Sequence, residues 1–503
     1  MIRRFFLLSL LLYSASCQQN TQTGQEDDQH PNIIYILADD LGIGDLSSYN
    51  RESKIPTPNL DRFASEGIRF TDAHSNSAVC TPTRYGTLTG RYAFRTRLKS
   101  GVLWGYSAPL IDKGTVTVAS FLKQQGYQTA CIGKWHLGLE WPKLNPDKEI
   151  PDIQWNDEVT REFEDNVDYA KEVQGGPSDH GFDHSFIIPA SLDMSPYCYI
   201  RNGKVVEAPT DFTEGRTEAN DGRGVIWRPG KVSPGFDFDQ VFPTVVDSAC
   251  QYINRKAGNE QPFFLYLPLP APHTPWLPLD EYQGKSGAGT YGDFVAMVDD
   301  MIGKVLQTLD DNELRENTLV IITSDNGADW RPEDIEAHQH RANYFYKGRK
   351  ADIYEAGHRV PYLARWPQAI TAGTTSAEVL CATDLLATVA GLLEQQVPTG
   401  AGEDSYNLWP AFIGKGYNSP IRNETIHHSL DGYFAIRQGK WKYTPQLGSG
   451  GFSKPQTIAP GPEEAPGTLY DLENDPSETN NLYDQHPEKV QQLHELLNTV
   501  RIE

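Results

Sequence analysis

Five short stretches of the chain carry residue types able to do chemistry. In Cys80-Thr81-Pro82-Thr83-Arg84 a cysteine precedes a proline and then an arginine in polar company. A core strand would alternate apolar side chains there, so Cys80 reads as a reactive position rather than one of the many cysteines that serve as small core hydrophobes. Arg84 is placed to hold an anion or to lower the pKa of the group it faces. A cysteine phosphatase would need its arginine at position 86, which is Gly86, so that chemistry loses its own key residue. Asp39-Asp40 and Asp325-Asn326 offer hard oxygen ligands. Lys134-Trp135-His136 pairs a cation with a proton carrier. Pro272-His273-Thr274-Pro275 holds a histidine on backbone that proline stiffens.

Each ligand or proton-carrying stretch comes after an apolar run. The runs 32–37, 129–132, 263–267 and 318–324 are short and rich in β-branched or aromatic residues, as strands buried on both faces of a parallel sheet are. They end in Asp39-Asp40, Lys134 with His136, His273, and Asp325-Asn326. One such coincidence is cheap and four are not, because open α/β sheets place ligands beyond the carboxyl ends of their strands. Lys134 and His136, two apart, would share one side of an extended segment. Helical spacing predicts helices over 58–66, stopped by Gly67, and over 115–125, 247–256, 294–309 and 384–393. A short strand at 68–70 leads to the Cys80 segment, a helix is expected over 87–98, and another strand over 362–366. Residues 141–243 are rich in Pro, Gly, Asp and aromatics with little periodicity, an elaborated loop region suited to substrate selection.

The chain has 503 residues, more than one compact core usually holds, so a large domain over 31–400 and a smaller one over 401–503 are expected. The smaller one reads as α+β, with strands at 433–437, 440–443 and 469–472 and a terminal helix over 488–500. Arg3-Arg4, the apolar run from Phe5 to Tyr13 and Ser14-Ala15-Ser16 read as a signal peptide over 1–16. Cys17 sits where a bacterial lipoprotein is lipidated, with a polar tether over 17–30, so the protein is expected to be exported and anchored to a membrane, in the periplasm or on the outer membrane. The remaining Cys131, Cys198, Cys250 and Cys381 have neither disulfide-framework nor zinc-type spacing. A net charge of -23 argues against nucleic acid as partner.

With these residues in view, the chain resembles the type I, formylglycine-dependent sulfatases from Asp39 to Leu469-Tyr470-Asp471-Leu472. The family pattern C-x-P-x-R is met by Cys80, Pro82 and Arg84, with Thr83 where serine is common. Lys350 to Pro361 is similar to the family segment K-x-x-x-x-E-G-G-x-R-x-P, with Ala356 replacing its first glycine, and Ala190-Ser191-Leu192-Asp193 resembles a segment whose serine lies near the formylglycine. The resemblance implies an α/β, alkaline-phosphatase-like fold: a large mixed sheet sandwiched by helices, with a smaller C-terminal α+β subdomain. It implies that a formylglycine-generating enzyme oxidises Cys80 during maturation. Asp39, Asp40, Asp325, Asn326 and the modified Cys80 would then hold a metal ion, calcium by preference for oxygen ligands, while Arg84, Lys134 and Lys350 offset charge.

In the family mechanism a hydroxyl of the aldehyde hydrate attacks sulfur. His273, with Lys350, is the candidate acid for the leaving alcohol, and His136 the base that expels sulfate. The same segments look most like bacterial polysaccharide sulfatases, which implies a sulfated carbohydrate: oligosaccharides of ulvan or carrageenan type, or glycosaminoglycan. Ser191, His338, His340 and Arg341 are candidate contacts to it. A negatively charged chain repels such a polyanion at long range, so attraction must come from a local basic pocket and the metal. Two other readings stand beside this one: a phosphomonoester or phosphonate hydrolase of the same superfamily, and a non-catalytic sulfated-glycan-binding lipoprotein.

Overall fold

In the computed structural model residues 30–153 and 161–502 are described. The expected signal peptide, Cys17 and all of the tether except His30 lie outside the described residues. The apolar runs become Asn32–Ala38, Gln128–Lys134, Phe263–Pro268 and Thr318–Ser324, and they are neighbours in one ten-stranded sheet. Thr318–Ser324 pairs in parallel with Asn32–Ala38, Asn32–Ala38 with Phe263–Pro268, and Phe263–Pro268 with Gln128–Lys134. A fifth parallel strand, His184–Ile188, extends the row from inside the region read as loop. Beyond Thr318–Ser324 lie Tyr362–Arg365 and Ile68–Phe70, each antiparallel to its inner neighbour, and Thr374–Ser376 closes that edge.

The runs are apolar throughout because both faces are covered. Ile33, Tyr35 and Leu37 pack with Tyr85, Leu88, Phe121 and Leu386 on one side. Ile34 and Ile36 pack with Phe63, Val245, Phe294 and Ile302 on the other. The helices on the two sides include Pro58–Glu66, Cys80–Thr89, Val118–Gln124, Val241–Lys256, Gly289–Asp311 and Leu385–Leu392. The helix expected over 87–98 instead begins at Cys80 and stops at Gly90, whose left-handed backbone (φ 67°) caps it through an N–H donated to Gly86 O. Past this cap the chain makes only a single 3-10 turn, Ala93–Arg95. Among the described residues no helix is long and apolar enough to cross a membrane.

The C-terminal strands Glu424–His428, Phe434–Gln438, Trp441–Thr444 and Thr468–Asp471 form an antiparallel sheet in sequence order, covered by helix Pro487–Ile502. Its core, with Ile436, Leu469 and Leu493, takes in Tyr92 and Phe94 from the main body. Residues 401–423 pack on the main body rather than on this sheet: Phe412 joins the main core, and Asp404 accepts from Arg95 and from the Tyr92 N–H.

A buried polar chain ties the two bodies together. Lys442 Nζ lies 3.1 Å from His358 Nε2, His358 Nδ1 lies 3.0 Å from His74 Nδ1, and His74 Nε2 lies 2.8 Å from Asp72 Oδ1. Lysine can only donate, so His358 Nε2 accepts and, in neutral rings, His358 Nδ1 donates to His74 Nδ1 and the His74 proton sits on Nε2, which gives it to Asp72 while Arg437 Nη1 packs against the same nitrogen at 3.1 Å. Glu355 and Glu478 hold Lys442, and Arg359 and Arg437 hold Asp72. His427 stacks on His358 and its Nδ1 donates to Ser75 O.

Candidate active site

Every one of the five parallel strands delivers functional side chains at its carboxyl end. Asn32–Ala38 leads into Asp39 and Asp40, the latter in a left-handed turn (φ 68°) that points its side chain inward. Thr318–Ser324 leads into Asp325 and Asn326. Gln128–Lys134 ends on Lys134, after Gly133, whose φ of 130° and close approach to Pro268 O exclude a side chain. His136 has φ 55°, so a turn rather than an extended segment brings it to the same site as Lys134. Phe263–Pro268 leads to His273, and His184–Ile188 to Ser191 and Asp193.

The acidic ligands are buried against fixed cations. Lys134 Nζ donates to Asp39 Oδ2 at 2.5 Å, Lys350 Nζ to Asp40 Oδ2 at 2.8 Å, and Arg84 gives two N–H groups to Asp325 Oδ2 at 3.1 and 2.8 Å. Arg84 is fully buried behind these carboxylates and also donates to Lys134 O, so it orders the ligands and does not reach the cavity to hold an anion. Burial raises and Lys134 and His273 lower the Asp39 carboxyl, which ends well below the ordinary range. Burial, then the Asp39 charge, pushes Asp325 up to about 7. Carboxylates so crowded call for a further cation.

The residues present fit one. Asp39 Oδ1 and Asn326 Oδ1 are buried and have no hydrogen-bond partner among the described residues. Asn326 Nδ2 donates to Asp40 Oδ1 at 2.6 Å, which leaves its carbonyl oxygen free. Ligand atoms of Asp39, Asp40 and His273 lie within 4.8 Å of one another. A donor set dominated by carboxylate and amide oxygens is that of a hard divalent ion.

Cys80 is the first residue of its helix, 3% exposed, and it lines a cavity of about 420 Å³ with Asp40, His136, His273 and Lys350. Burial pushes its thiol up to about 11 in spite of Lys134 and Lys350. His136 Nε2 donates to Leu103 O at 2.7 Å, so Nδ1 carries the lone pair, and Nδ1 has no partner among the described residues. Burial, then Lys134 and Arg84, hold this ring well below its ordinary pKa, so it is neutral. His273 Nδ1 donates to Thr274 O at 2.6 Å and lies 3.1 Å from Ser191 Oγ, leaving Nε2 3.8 Å from Asp40 Oδ2. Ser191 Oγ is also 3.3 Å from Lys134 Nζ.

The cavity wall holds residues that sequence reasoning missed. Asp193, Glu218, Arg223 and Arg228 come from the region 141–243, and Leu430 and Phe452 from the C-terminal body. The segment Ala190-Ser191-Leu192-Asp193, singled out for its serine, was the only signal for Asp193. Nothing in the sequence points to Leu430 or Phe452. In contrast, the structure does not bring His338, His340 or Arg341 to this cavity. His340 is 1% exposed and its Nε2 is bonded to Asp45 Oδ1 at 2.8 Å, His338 packs on the Trp330 ring, and Arg341 is exposed elsewhere.

A second cluster, His74, His358 and His427, has ring nitrogens within 4.8 Å of one another. It is not arranged for a metal: the His358 and His427 rings are stacked 3.8 Å apart at 3°, so their in-plane lone pairs run parallel instead of meeting.

A mixed sheet clothed by helices, with buried acids, fixed cations and two histidines around a helix-terminal residue at its carboxyl edge, defines a hydrolase of the alkaline-phosphatase-like class. Residues 31–395 match the family model described as Sulfatase, and the chain belongs to that family, the sulfuric ester hydrolases. It is 34% identical over 530 residues to an N-acetylgalactosamine-6-O-sulfatase of Bacteroides thetaiotaomicron, covering 98% of both chains. It is 31% identical to the steryl-sulfatase of Rattus norvegicus, covering 94% of this chain and 88% of the relative. A solved 6S-sulfatase structure from work on Bacteroides thetaiotaomicron glycosaminoglycan metabolism superposes with a TM-score of 0.78 at 33% identity, covering 94% of this chain and all of the other.

Proposed function

We propose that the protein removes sulfate from a sulfated sugar, with N-acetylgalactosamine 6-sulfate and related glycosaminoglycan fragments as first candidates, using formylglycine at position 80 and calcium. The observation that carries this reading is the meeting, in one cavity, of Cys80 at a helix start with Asp40, Lys350, His136 and His273, backed by the unpartnered oxygens of Asp39 and Asn326. The relative named for N-acetylgalactosamine 6-sulfate is similar over its whole length, whereas a steryl-sulfatase at lower identity has no sugar in its name, so the family alone does not choose the alcohol.

Calcium would be held by Asp39, Asp40, Asp325, Asn326 and residue 80, and would supply positive charge against the sulfuryl oxygens. Formylglycine would supply a hydroxyl nucleophile that is regenerated in each cycle. The chain's own side chains divide the remaining work. Lys350, facing the cavity, adds fixed positive charge where negative charge is carried through the reaction. His273, its Nδ1–H fixed by Thr274 O, presents Nε2 for the proton that the leaving sugar oxygen needs. His136, its Nε2–H fixed by Leu103 O, presents a bare Nδ1 to accept the proton whose loss expels sulfate. The N-terminus of helix Cys80–Thr89 adds a positive backbone field at residue 80.

The test is sulfate release from a panel of defined sugars sulfated at single positions, including glycosaminoglycan, carrageenan and ulvan fragments beside an aryl sulfate. Turnover of the 6-sulfated amino sugar well above the rest is expected. Turnover of aryl sulfate alone would remove the carbohydrate reading. We further propose export and lipid anchoring through Cys17, motivated by Ser14-Ala15-Ser16-Cys17. Detergent-phase partitioning that persists in Cys17→Ser would contradict it.

A further inference from the structure

We infer that Asp193 and Arg228 together read the hydroxyl groups of the sugar whose sulfate is cleaved, a specificity pair on the cavity wall outside the reacting centre. The inference rests on the carbohydrate reading above and names the side chains that would enforce it. Both residues line the cavity that holds Cys80, His136, His273 and Lys350. Arg228 Nη1 donates to Asp193 Oδ2 at 2.5 Å and to Asp193 O at 3.2 Å. Asp193 is 7% exposed, and its Oδ1 is buried with no hydrogen-bond partner among the described residues. The guanidinium lies over the Trp104 ring, 4.9 Å from its centroid, and its remaining N–H groups donate to no described residue.

An ionised carboxylate oxygen without a partner inside a protein is costly. Asp193 is nevertheless ionised: burial raises its carboxyl, and Arg228, His273 and Lys134 together bring it below the ordinary range. A ligand hydroxyl satisfies the arrangement because it can donate to Asp193 and accept from Arg228. An anion would not, since the pair is already neutral and the free oxygen would repel a second sulfate. Val102, Met194, Ile226 and Leu430 line the same cavity and offer apolar contact to the C–H faces of a pyranose. An aryl sulfate has a flat apolar ring and no hydroxyls to present.

The experiment compares kcat/KM for N-acetylgalactosamine 6-sulfate, its mono-deoxy analogues and an aryl sulfate in the metal-loaded enzyme and in Asp193→Ala, Asp193→Asn and Arg228→Gln. Each substitution is expected to lower the sugar-to-aryl ratio about 10- to 100-fold, the value of a hydrogen bond to a charged group. One deoxy analogue should show a similar loss with the unsubstituted enzyme and no further loss in Asp193→Ala, the signature of a direct partnership. The near-isosteric Asp193→Asn guards against a folding defect, and aryl sulfate turnover reports the folded fraction. Equal proportional losses on sugar and aryl sulfates, or losses from residue and hydroxyl that simply multiply, would overturn the pair's role. An unsubstituted enzyme that turns over the aryl sulfate but no sugar sulfate would overturn the carbohydrate reading, and this inference with it.

Discussion

Lowering the pH should loosen the joint between the two bodies before it protonates most carboxylates. Burial, then Arg359, displaces the charging of His74 from 6.5 to about 4 even though Asp72 opposes the shift, and burial does the same to His428. Burial holds His358 and His427 well below the ordinary range too, with neighbouring His427 and Lys442 acting on the first and His74 and Lys442 on the second. Every group facing the chain is already committed: Lys442 to Glu355 and Glu478, and Arg359 and Arg437 to Asp72. The unfolded chain takes up protons on these rings from about pH 6.5 downward and the folded chain only near 4. Between those values the unfolded state binds more protons, so stability rises with pH and is lost as pH falls. By about pH 5 each of His74 and His428 has cost about 2 kcal/mol, and about 4 kcal/mol together is a large part of the ~5–15 kcal/mol that holds a folded domain. The assay is the urea midpoint by tryptophan fluorescence at about pH 7.5 and about pH 5, for the unsubstituted protein and His74→Gln. A marked fall at the lower pH is expected, and a shallower one in the variant. Coincident midpoints, or an unchanged pH dependence in His74→Gln, would refute the reasoning.

Removing the buried guanidinium in Arg84→Gln takes both charged donors from Asp325 and leaves Asp39 with Lys134 alone, and should cost about 3–5 kcal/mol; thermal unfolding that moves by less than a quarter of this contradicts the pairing. At Gly90 a β-carbon would meet both left-handed backbone and Gly402 Cα at 3.0 Å, whereas at Gly114 (φ 87°) it meets open space. Gly90→Ala should therefore cost clearly more than the ~1 kcal/mol of backbone strain expected for Gly114→Ala, and equal melting shifts would count against the packing. His273→Ala should slow cleavage of a sugar sulfate more than that of an aryl sulfate by about 100- to 10,000-fold, since a phenolate needs little protonation. His136→Ala should instead accumulate a covalently sulfated residue 80, visible by quenched-flow mass spectrometry, and its absence with equal leaving-group dependence in both variants would reject the division of roles.

The central sheet was legible because parallel strands buried on both faces leave continuous apolar runs, and each run here ends in a chemically distinctive residue. Asp39-Asp40 and Asp325-Asn326 could be joined across more than half of the chain for that reason. His184–Ile188 was not legible, being one of several short strands within the hundred residues read as loop, although it leads to Ser191 and Asp193. The helix end at Gly90 was overrun because Arg91 to Leu98 keeps some apolar spacing, and a single left-handed cap outweighs it. His338, His340 and Arg341 show the opposite failure. Polar residues near a site in sequence looked like contacts, but the His340 ring is taken by Asp45, which in turn accepts from Tyr291 and from the Gly42 N–H. Leu430 and Phe452 reach the cavity only because the C-terminal body docks there: Leu430 N donates to Ala351 O beside Lys350, and Ala351 N to Ala78 O beside Cys80. No local pattern encodes a contact of that kind.

The most direct measurement is the state of residue 80 in preparations of graded activity. Protein made with and without a formylglycine-generating enzyme is digested, the peptide bearing residue 80 is weighed by mass spectrometry, and sulfate release is measured on the same samples. Turnover should rise in proportion to the aldehyde fraction and vanish in Cys80→Ala. Full turnover from protein that carries only unmodified Cys80 would contradict the account.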